Sequence, residues 1–198
     1  SDQIVITYPN DPNNPAQVTT PTTIPAPVYE GYVPVDEHGT KLVPVDDQDL
    51  TKGYLPPATP SDPGKDTTIN YRAVGYTITT HYVDNKGVTV ADDDVQNDIT
   101  VEMGYTTTAK VVDGYVLTDT PTNASATRMP ANDLDVTYKY TKLGVVKITT
   151  PDGYTTETPY VNDPVDPGKA TPPELTVPGE PGYTPVDGDG TTLTPIDP

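Results

Sequence analysis

The sequence predicts a mainly β chain, built of elongated tandem modules that are joined by proline-rich connections. Its middle part alternates β-branched or aromatic residues with polar ones, which is typical of half-buried strands. The 198 residues include 25 Pro and 15 Gly, which favour turns and stiff extended connections. A sixteen-residue segment occurs twice, as GYVPVDEHGTKLVPVD at residues 31–46 and as GYTPVDGDGTTLTPID at residues 182–197, with ten identical residues.

The duplicated segment predicts an array of repeats. Its two copies start 151 positions apart, and KITTP at residues 147–151 parallels VITYP at residues 5–9. The first residues show neither the basic start nor the apolar run of a secretion signal, and the sorting pattern Leu-Pro-x-Thr-Gly is absent. We therefore interpret both ends as cuts in a longer protein, and the chain as one two-module unit followed by the opening of the next.

The first module is predicted to span residues 1–73. Its copy of the duplicated segment should form two short strands around the turn Asp36–Gly39, where glycine supplies a positive φ, and TTINYRA should close the module. A third part, residues 143–198, restarts this module but ends before the corresponding closing segment. We expect the third part to be either frayed or completed by strands from elsewhere in the chain.

The middle module, residues 74–142, has the strongest strand pattern. YTITTHYVD, starting at Tyr76, should place alternate residues on opposite faces of a strand, and the turn Asn85–Gly87 should follow it. Further strands are predicted in VTVADDDV, DITVEM, GYVLTD and LDVTYKY, and a short helix in TTTAKVV at residues 106–112. Since the chain has no Phe and no Trp, tyrosines must supply the large core side chains. The tyrosines expected in the core are Tyr82, Tyr105, Tyr115, Tyr138 and Tyr140.

Composition argues against several classes of function. The net charge of −18 disfavours nucleic acid and anionic membrane surfaces, because both are themselves negatively charged. No stretch approaches the ~20 apolar residues that a membrane-spanning helix needs. Cys is absent, and three Ser and two His are the remaining nucleophiles and bases. We interpret His81 as an ordinary strand residue and His38 as a turn residue, so an enzyme is not expected.

The order of several short motifs points to a known family. The middle module contains Tyr-x-Asp-x-x-Gly at residues 82–87, Gly-Tyr at 104–105 and 114–115, and the tyrosine-rich strand VTYKY at 136–140. In this order the motifs resemble the mucin-binding (MucBP) repeat of Gram-positive surface adhesins. The flanking segments GYTPVDGDG and DPGKDTTINY resemble the second module of Lactobacillus-type mucus-binding (Mub) repeats. Together the two resemblances cover essentially the whole chain.

The resemblance implies α+β modules of the β-grasp, ubiquitin-like type with little helix, displayed outside the cell on a bacterial wall. It implies weak, multivalent binding to host mucin glycoproteins and their glycans, and immunoglobulin binding for some family members. The alternative is a stalk or spacer repeat that projects a distal adhesive domain and has no ligand of its own. In either case we expect a monomeric fragment of a tandem array.

Two residues are predicted to bind glycans. Tyr54 lies in the proline-rich segment KGYLPP, where a tyrosine ring can stack on sugar C–H groups; packing of this ring against proline is the competing interpretation. Asn85, in the turn of the middle module, is the second candidate.

Calcium is the one cofactor that the sequence leaves open. Asp92, Asp93 and Asp94 lie in the acidic segment ADDDVQND and offer the oxygen ligands that calcium prefers. Strand alternation should point Asp93 away from the other two carboxylates, which splits the cluster. A solvated acidic edge that discourages strand pairing is the competing interpretation.

Overall fold

The computed structural model describes residues 5–59 and 61–194, and the mainly β prediction is confirmed. The helix found in this part of the chain is a single 3-10 turn, Leu50–Lys52. The chain divides into unit 1 (Ser1–Thr79, Val95–Thr106 and Ser125–Asp135) and unit 2 (Thr80–Asp94, Thr107–Ala124 and Val136–Pro198). The strands are β1 Tyr32–Val35, β2 Asn70–Ala73, β3 Tyr76–Asp84, β4 Thr89–Ile99, β5 Tyr105–Thr106, β6 Tyr115–Asp119, β7 Ser125–Ala126, β8 Leu134–Lys142, β9 Val145–Thr149, β10 Thr155–Pro159, β11 Val161–Asn162 and β12 Ala170–Thr171.

The largest sheet has four strands in the order β4-β3-β8-β6. Strand β3 coincides with the predicted YTITTHYVD, and its residues Ile78, Thr80 and Tyr82 are buried while the alternate positions are half-buried. Strand β8 follows the same rule, with Val136, Tyr138 and Tyr140 buried. The period-2 pattern therefore identified the core face of both central strands. Four of the five predicted core tyrosines are buried, and Tyr115 is half-buried.

The prediction of a short helix in TTTAKVV is wrong. Thr106 ends β5, and residues 107–112 are irregular. This segment carries several β-branched residues, which are weak helix formers. The Thr108 carbonyl and both backbone groups of Lys110 are bonded instead to the hydroxyls of Tyr82 and Tyr140 in the neighbouring sheet, so these groups need no helical partners. The β-grasp assignment, in which a helix crosses the sheet, stays a prediction.

The strand predicted in DITVEM is also wrong in its second half. Strand β4 ends at Ile99, and a turn follows in which the Met103 backbone N–H donates to the Thr100 carbonyl at 3.0 Å. Val101 is buried at the start of this turn. Alternation of apolar and polar residues indicates which side chains are buried, but not which backbone groups are paired. A turn with one buried apolar residue can therefore have the same sequence pattern as a strand.

The first copy of the duplicated segment forms one strand and one turn. Strand β1 pairs antiparallel with β2, which comes from the predicted closing segment TTINYRA. The second predicted strand is reduced to an isolated bridge between Val35 and Lys41. Leu42 packs with Ile24 and Tyr54 in a small core of unit 1.

The second copy forms the same turn without the same core. The Asp36 carboxylate accepts backbone hydrogen bonds from the residues two and four positions later, and the Asp187 carboxylate does the same, at 2.8–2.9 Å. A Val186–Thr192 bridge matches Val35–Lys41. However, Val186 is 53% exposed, whereas Val35 is 5% exposed.

The third part was expected to be either frayed or completed by strands from elsewhere, and its described strands pair with one another. Strand β9 pairs with β10 and β11 pairs with β12, all within the described residues after Leu143. No helix in the described ranges has the length and apolarity needed to cross a membrane.

Candidate ligand-binding site

The two predicted glycan-binding residues have very different surroundings. Tyr54 is 4% exposed, and it belongs to the core with Ile24 and Leu42. Its ring therefore has no open face for a sugar, and the competing interpretation, a packing role, describes it better. Asn85 is exposed at the tip of the β3–β4 turn, which is closed by the Asp84 carboxylate and the Asp84 carbonyl. The Asn85 side chain is thus accessible to a ligand.

Other tyrosines offer the open rings that Tyr54 lacks. Tyr29 is 53% exposed, and its ring meets Tyr71 edge to face, with the ring centroids 4.8 Å apart. The Tyr71 hydroxyl donates to the Pro27 carbonyl at 2.6 Å, which holds this pair against the proline-rich segment that contains Pro25 and Pro27. Tyr154 and Tyr183 are each 66% exposed. Tyr54, Tyr154 and Tyr183 each follow a glycine, so this local context does not separate the buried ring from the two open ones.

The three aspartates predicted to bind calcium have different partners. Asp93 Oδ2 lies 2.9 Å from Nδ1 of His81. Asp94 lies on the other side of β4, where its Oδ1 accepts from Lys110 Nζ at 2.8 Å. The backbone carbonyl of Asp92 accepts from the same ammonium at 2.7 Å. The strand splits the acidic segment as expected, and the described residues contain no group of three His, Asp or Glu side chains placed to hold a metal.

Two buried tyrosine hydroxyls of β8 bind the irregular segment that replaces the predicted helix. The Tyr140 hydroxyl accepts from the Lys110 backbone N–H at 3.0 Å and donates to the Lys110 carbonyl at 2.7 Å. The Tyr138 hydroxyl lies 2.9 Å from Thr107 Oγ1, which itself donates to the Ala124 carbonyl at 2.6 Å. The Tyr140 hydroxyl thus satisfies both backbone groups of Lys110, and the buried Tyr138 hydroxyl finds its own partner in Thr107.

Tyr82 connects this segment to the acidic strand. Its hydroxyl lies 2.8 Å from Asp94 Oδ2 and 2.9 Å from the Thr108 carbonyl. The Lys110 ammonium lies 4.3 Å from the centroid of the Tyr82 ring, in a cation–π arrangement. Burial, together with the hydrogen bond to Asp94, raises the pKa of Tyr82 well above its ordinary value. The hydrogen bond from Lys110 holds the pKa of Asp94 below its usual range. This cluster is a fully paired structural network, so it is not the best candidate for ligand binding.

The better candidate is an open cleft in unit 1 with a volume of about 480 Å³. Val101 and Met129, which are 4% and 1% exposed, form its apolar floor. Arg128 and Glu30 are exposed at its rim, and Pro130 and Ala131 complete its wall. An open cleft with one cation at its rim suits a weakly held ligand more than an enclosed small molecule.

Contacts between the first module and the middle module hold the rim of this cleft in place. Gly31 follows Glu30 and has a φ of 81°, and a Cβ atom built on it would lie 2.4 Å from Val101. The Tyr32 hydroxyl donates to the Glu102 carboxylate at 3.0 Å, and this hydrogen bond raises the pKa of Tyr32. Glu102 is therefore occupied by a partner. Arg128 is left as the cation that faces the cleft.

Sequence reasoning missed this cleft. Arg128 is one of two arginines in a chain of charge −18, and that rarity was the available signal. The cleft itself joins residues near position 30 with residues near 101 and 128, and such long-range proximity leaves no local pattern in the sequence.

Comparison with known proteins identifies the domain that contains most of the cleft. Residues 77–141 match the family model of the MucBP domain. The chain is 43% identical to Internalin J of Listeria monocytogenes serovar 1/2a over 68 residues, which is 34% of this chain and 8% of the relative. It is 35% identical to Internalin J of serotype 4b over 127 residues, which is 61% of this chain and 13% of that relative. The chain thus matches only a small part of each curated relative.

The predicted resemblance is confirmed for the middle module, since residues 77–141 match the MucBP domain model. The match begins one residue inside β3 and ends one residue before the end of β8. The four strands of the largest sheet therefore lie almost entirely in this domain, and so do Val101, Arg128 and Met129 of the cleft.

Proposed function

We propose that the chain is a repeat of a bacterial cell-surface adhesin, that it binds host mucin glycoproteins weakly, and that it acts outside the cell on the bacterial wall. The observation that supports this proposal is the MucBP domain at residues 77–141, which supplies the floor and the arginine of the cleft. A single open cleft binds its ligand weakly, and an array of repeats converts this weak binding into avidity. Catalysis is not part of the proposed function.

The cleft offers a way for a strongly acidic chain to bind an anionic ligand. Sialylated or sulfated mucin is anionic, and a protein of charge −18 should repel it. Arg128 provides a local cation, and its guanidinium fork can bind a carboxylate or sulfate through two parallel hydrogen bonds. Pro130, which is exposed on the wall of the cleft, offers an apolar surface to the C–H face of a sugar ring. We therefore propose acidic glycan termini as the ligand class.

The fold of the MucBP domain is proposed to be β-grasp. Its first and last strands, β3 and β8, are neighbours at the centre of the sheet, with β4 and β6 at the edges. This is the strand order of a ubiquitin-like sheet. The irregular segment at residues 107–112 then takes the place of the helix of that fold.

The test is surface plasmon resonance of the full chain over immobilised mucin, with Arg128→Ala and the control Lys86→Ala. Both variants lose one positive charge, but Lys86 lies exposed at the β3–β4 turn. We expect Arg128→Ala to weaken binding by about tenfold, as loss of a charge-assisted hydrogen bond should, and Lys86→Ala to have little effect. Equal weakening by both variants would mean that binding follows net charge and not the cleft.

The same experiment separates the other proposed ligands. A run with a chelator tests the calcium expectation at Asp92, Asp93 and Asp94, and immobilised immunoglobulin replaces mucin in a further run. Asn85→Ala tests the remaining predicted glycan contact. Full mucin binding in the presence of chelator would remove calcium from the proposal.

A spacer role is the second candidate, and a specific observation favours it. Asn162 and Pro167 of the third part form four hydrogen bonds with residues 112–117 of the MucBP domain. Such contacts hold consecutive parts of an array together. A glycan array probed with the chain distinguishes the two functions, since a spacer gives no specific signal and an adhesin prefers defined termini.

A further inference from the structure

A second repeated segment lies outside the duplicated sixteen-residue segment. Residues 10–19 read NDPNNPAQVT and residues 162–171 read NDPVDPGKAT. The two segments share Asn, Asp, Pro, Pro and Thr in register, 152 positions apart. The offset between copies is 152 positions here and 151 for the duplicated sixteen-residue segment. The connection between the two segments is therefore one residue shorter in the second copy.

The two segments form the same loop. The carboxylate of Asp11 accepts hydrogen bonds from the backbone N–H groups two and three residues later, and so does that of Asp163, all at 2.8–3.1 Å. The backbone N–H of each aspartate donates to the carbonyl six residues later, at 3.0 Å in both copies. An antiparallel bridge between Asn10 and Val18 corresponds to the Asn162–Ala170 pair of β11 and β12. The shared residues therefore specify one loop structure, which we term the NDP loop.

The second NDP loop is docked on the MucBP domain. The Asn162 Oδ1 accepts from the Gly114 N–H at 2.8 Å, and its Nδ2 donates to the carbonyls of Val112 and Tyr115 at 3.0 and 2.6 Å. The Pro167 carbonyl accepts from the Leu117 N–H at 2.8 Å. All four bonds go to backbone groups of residues 112–117, which we term the acceptor loop.

An asparagine side chain fits this acceptor loop by its chemistry. One acceptor oxygen and two N–H donors on one amide meet one N–H and two carbonyls. An aspartate offers no donor for the carbonyls. The side chain thus recognises the backbone conformation of the acceptor loop. Gly114, with a φ of 78°, helps to set that conformation.

The first NDP loop carries the same docking groups, and no acceptor loop is bonded to them within the described residues. Asn10 and Pro15, the counterparts of Asn162 and Pro167, are exposed, whereas Asn162 and Pro167 are half-buried. The aspartate and the first proline of the loop have the same burial in both copies. The loop is therefore already formed at residues 10–19, and its docking face is open to solvent.

We infer that the NDP loop at residues 10–19 is a docking surface for the acceptor loop of a second copy of the MucBP domain. Its Asn10 side chain binds the backbone of that loop as Asn162 does within this chain. In a tandem array the contact joins each two-module unit to the one before it. This inference concerns the junction between units, and it stands whether or not the cleft at Arg128 binds mucin.

The decisive experiment is a fusion of residues 1–161 to residues 10–198, which places Asn10 where Asn162 stands and leaves the second part of the chain intact. The first 161 residues are labelled with nitrogen-15, so that only the first-copy Gly114 amide is observed. Hydrogen exchange of that amide is compared with the amides of β8 as an internal reference. Asn10→Ala and Asn10→Asp are then introduced into the fusion, and Asn162→Ala into the natural chain.

We expect the first-copy Gly114 amide of the fusion to exchange as slowly as it does in the natural chain. Asn10→Ala, Asn10→Asp and Asn162→Ala should each speed it by about tenfold, the factor that one net hydrogen bond contributes. Exchange in β8 should stay unchanged, which shows that the domain is folded. Fast exchange of Gly114 in the unmutated fusion, or no effect of Asn10→Ala, would overturn the inference.

Discussion

The Tyr140 hydroxyl binds both backbone groups of Lys110, accepting from its N–H at 3.0 Å and donating to its carbonyl at 2.7 Å. A single side chain thereby takes the role of two helical hydrogen bonds in a segment that has no helix. Tyr140 is fully buried and Lys110 is half-buried, so water has limited access to these two hydrogen bonds.

Tyr140→Phe should therefore destabilise the chain although the ring is kept. The substitution removes the hydroxyl partner of the half-buried N–H and carbonyl of Lys110, at a cost of about 1–3 kcal/mol. Urea unfolding followed by circular dichroism measures this cost. The control is Tyr154→Phe, since that ring is 66% exposed and its loss of a hydroxyl should change the unfolding free energy by less than about 0.5 kcal/mol. Equal unfolding midpoints for the two variants would contradict the role assigned to Tyr140.

Tyr82 should titrate late in alkaline solution. Burial and the neighbouring Asp94 carboxylate raise its pKa, so the neutral form is favoured in the folded state. Its contribution to stability is complete below the ordinary tyrosine pKa of about 10 and is lost as the pH rises through the raised value. Tyrosinate absorbance should show a late component that accompanies unfolding and that Tyr82→Phe removes. A titration of Tyr82→Phe that keeps the late component would assign it to another tyrosine.

Asp94→Asn should reduce stability at pH 7 but not in acid. The hydrogen bond from Lys110 lowers the folded-state pKa of Asp94, so its contribution is present above the ordinary carboxylate pKa and is lost as the pH falls through the folded value. Both partners are partly exposed, which limits the loss to about 1 kcal/mol or less. Urea midpoints at pH 7 and pH 3 test this, with the exposed Asp189→Asn as a control. A penalty that persists at pH 3 would show that shape, and not charge, makes Asp94 important.

Gly31→Ala should be far more costly than Gly39→Ala. Both glycines have a φ of 81°, so an L side chain is strained at either position by about 1–2 kcal/mol. Only at Gly31 would the new Cβ atom meet Val101, at 2.4 Å, while the space at Gly39 is open. Overpacking should add about 1–3 kcal/mol at Gly31. Thermal unfolding of both variants measures the difference, and adding Val101→Ala should recover part of it. Similar melting temperatures for the two glycine variants would contradict the packing at this wall of the cleft.

The sequence identified much of the MucBP domain and little of the candidate site. Strands β3 and β8 could be predicted because each carries a period-2 pattern, and β6 because its short apolar run is bounded by turn residues; both signals are local. The Asp36 and Asp187 turns could be predicted for the same reason, since an aspartate that binds nearby backbone N–H groups acts within a few residues. Tyr54 and Arg128 could not be assigned, because burial and cleft formation depend on residues far away in the chain.

The amino-acid sequence by itself determined the strands, the alternation of buried and exposed residues and the two repeated loops, because these follow from preferences that act over a few neighbouring residues. Tertiary structure alone decided that the segment after β5 is held open by tyrosine hydroxyls, that Tyr54 is buried, and that Asp93 and Asp94 face different partners. It also decided that one NDP loop is docked while its twin is exposed. The physical reason is that identical local sequences meet different neighbours, and the free energy of a polar side chain depends on whether a partner is within hydrogen-bonding distance.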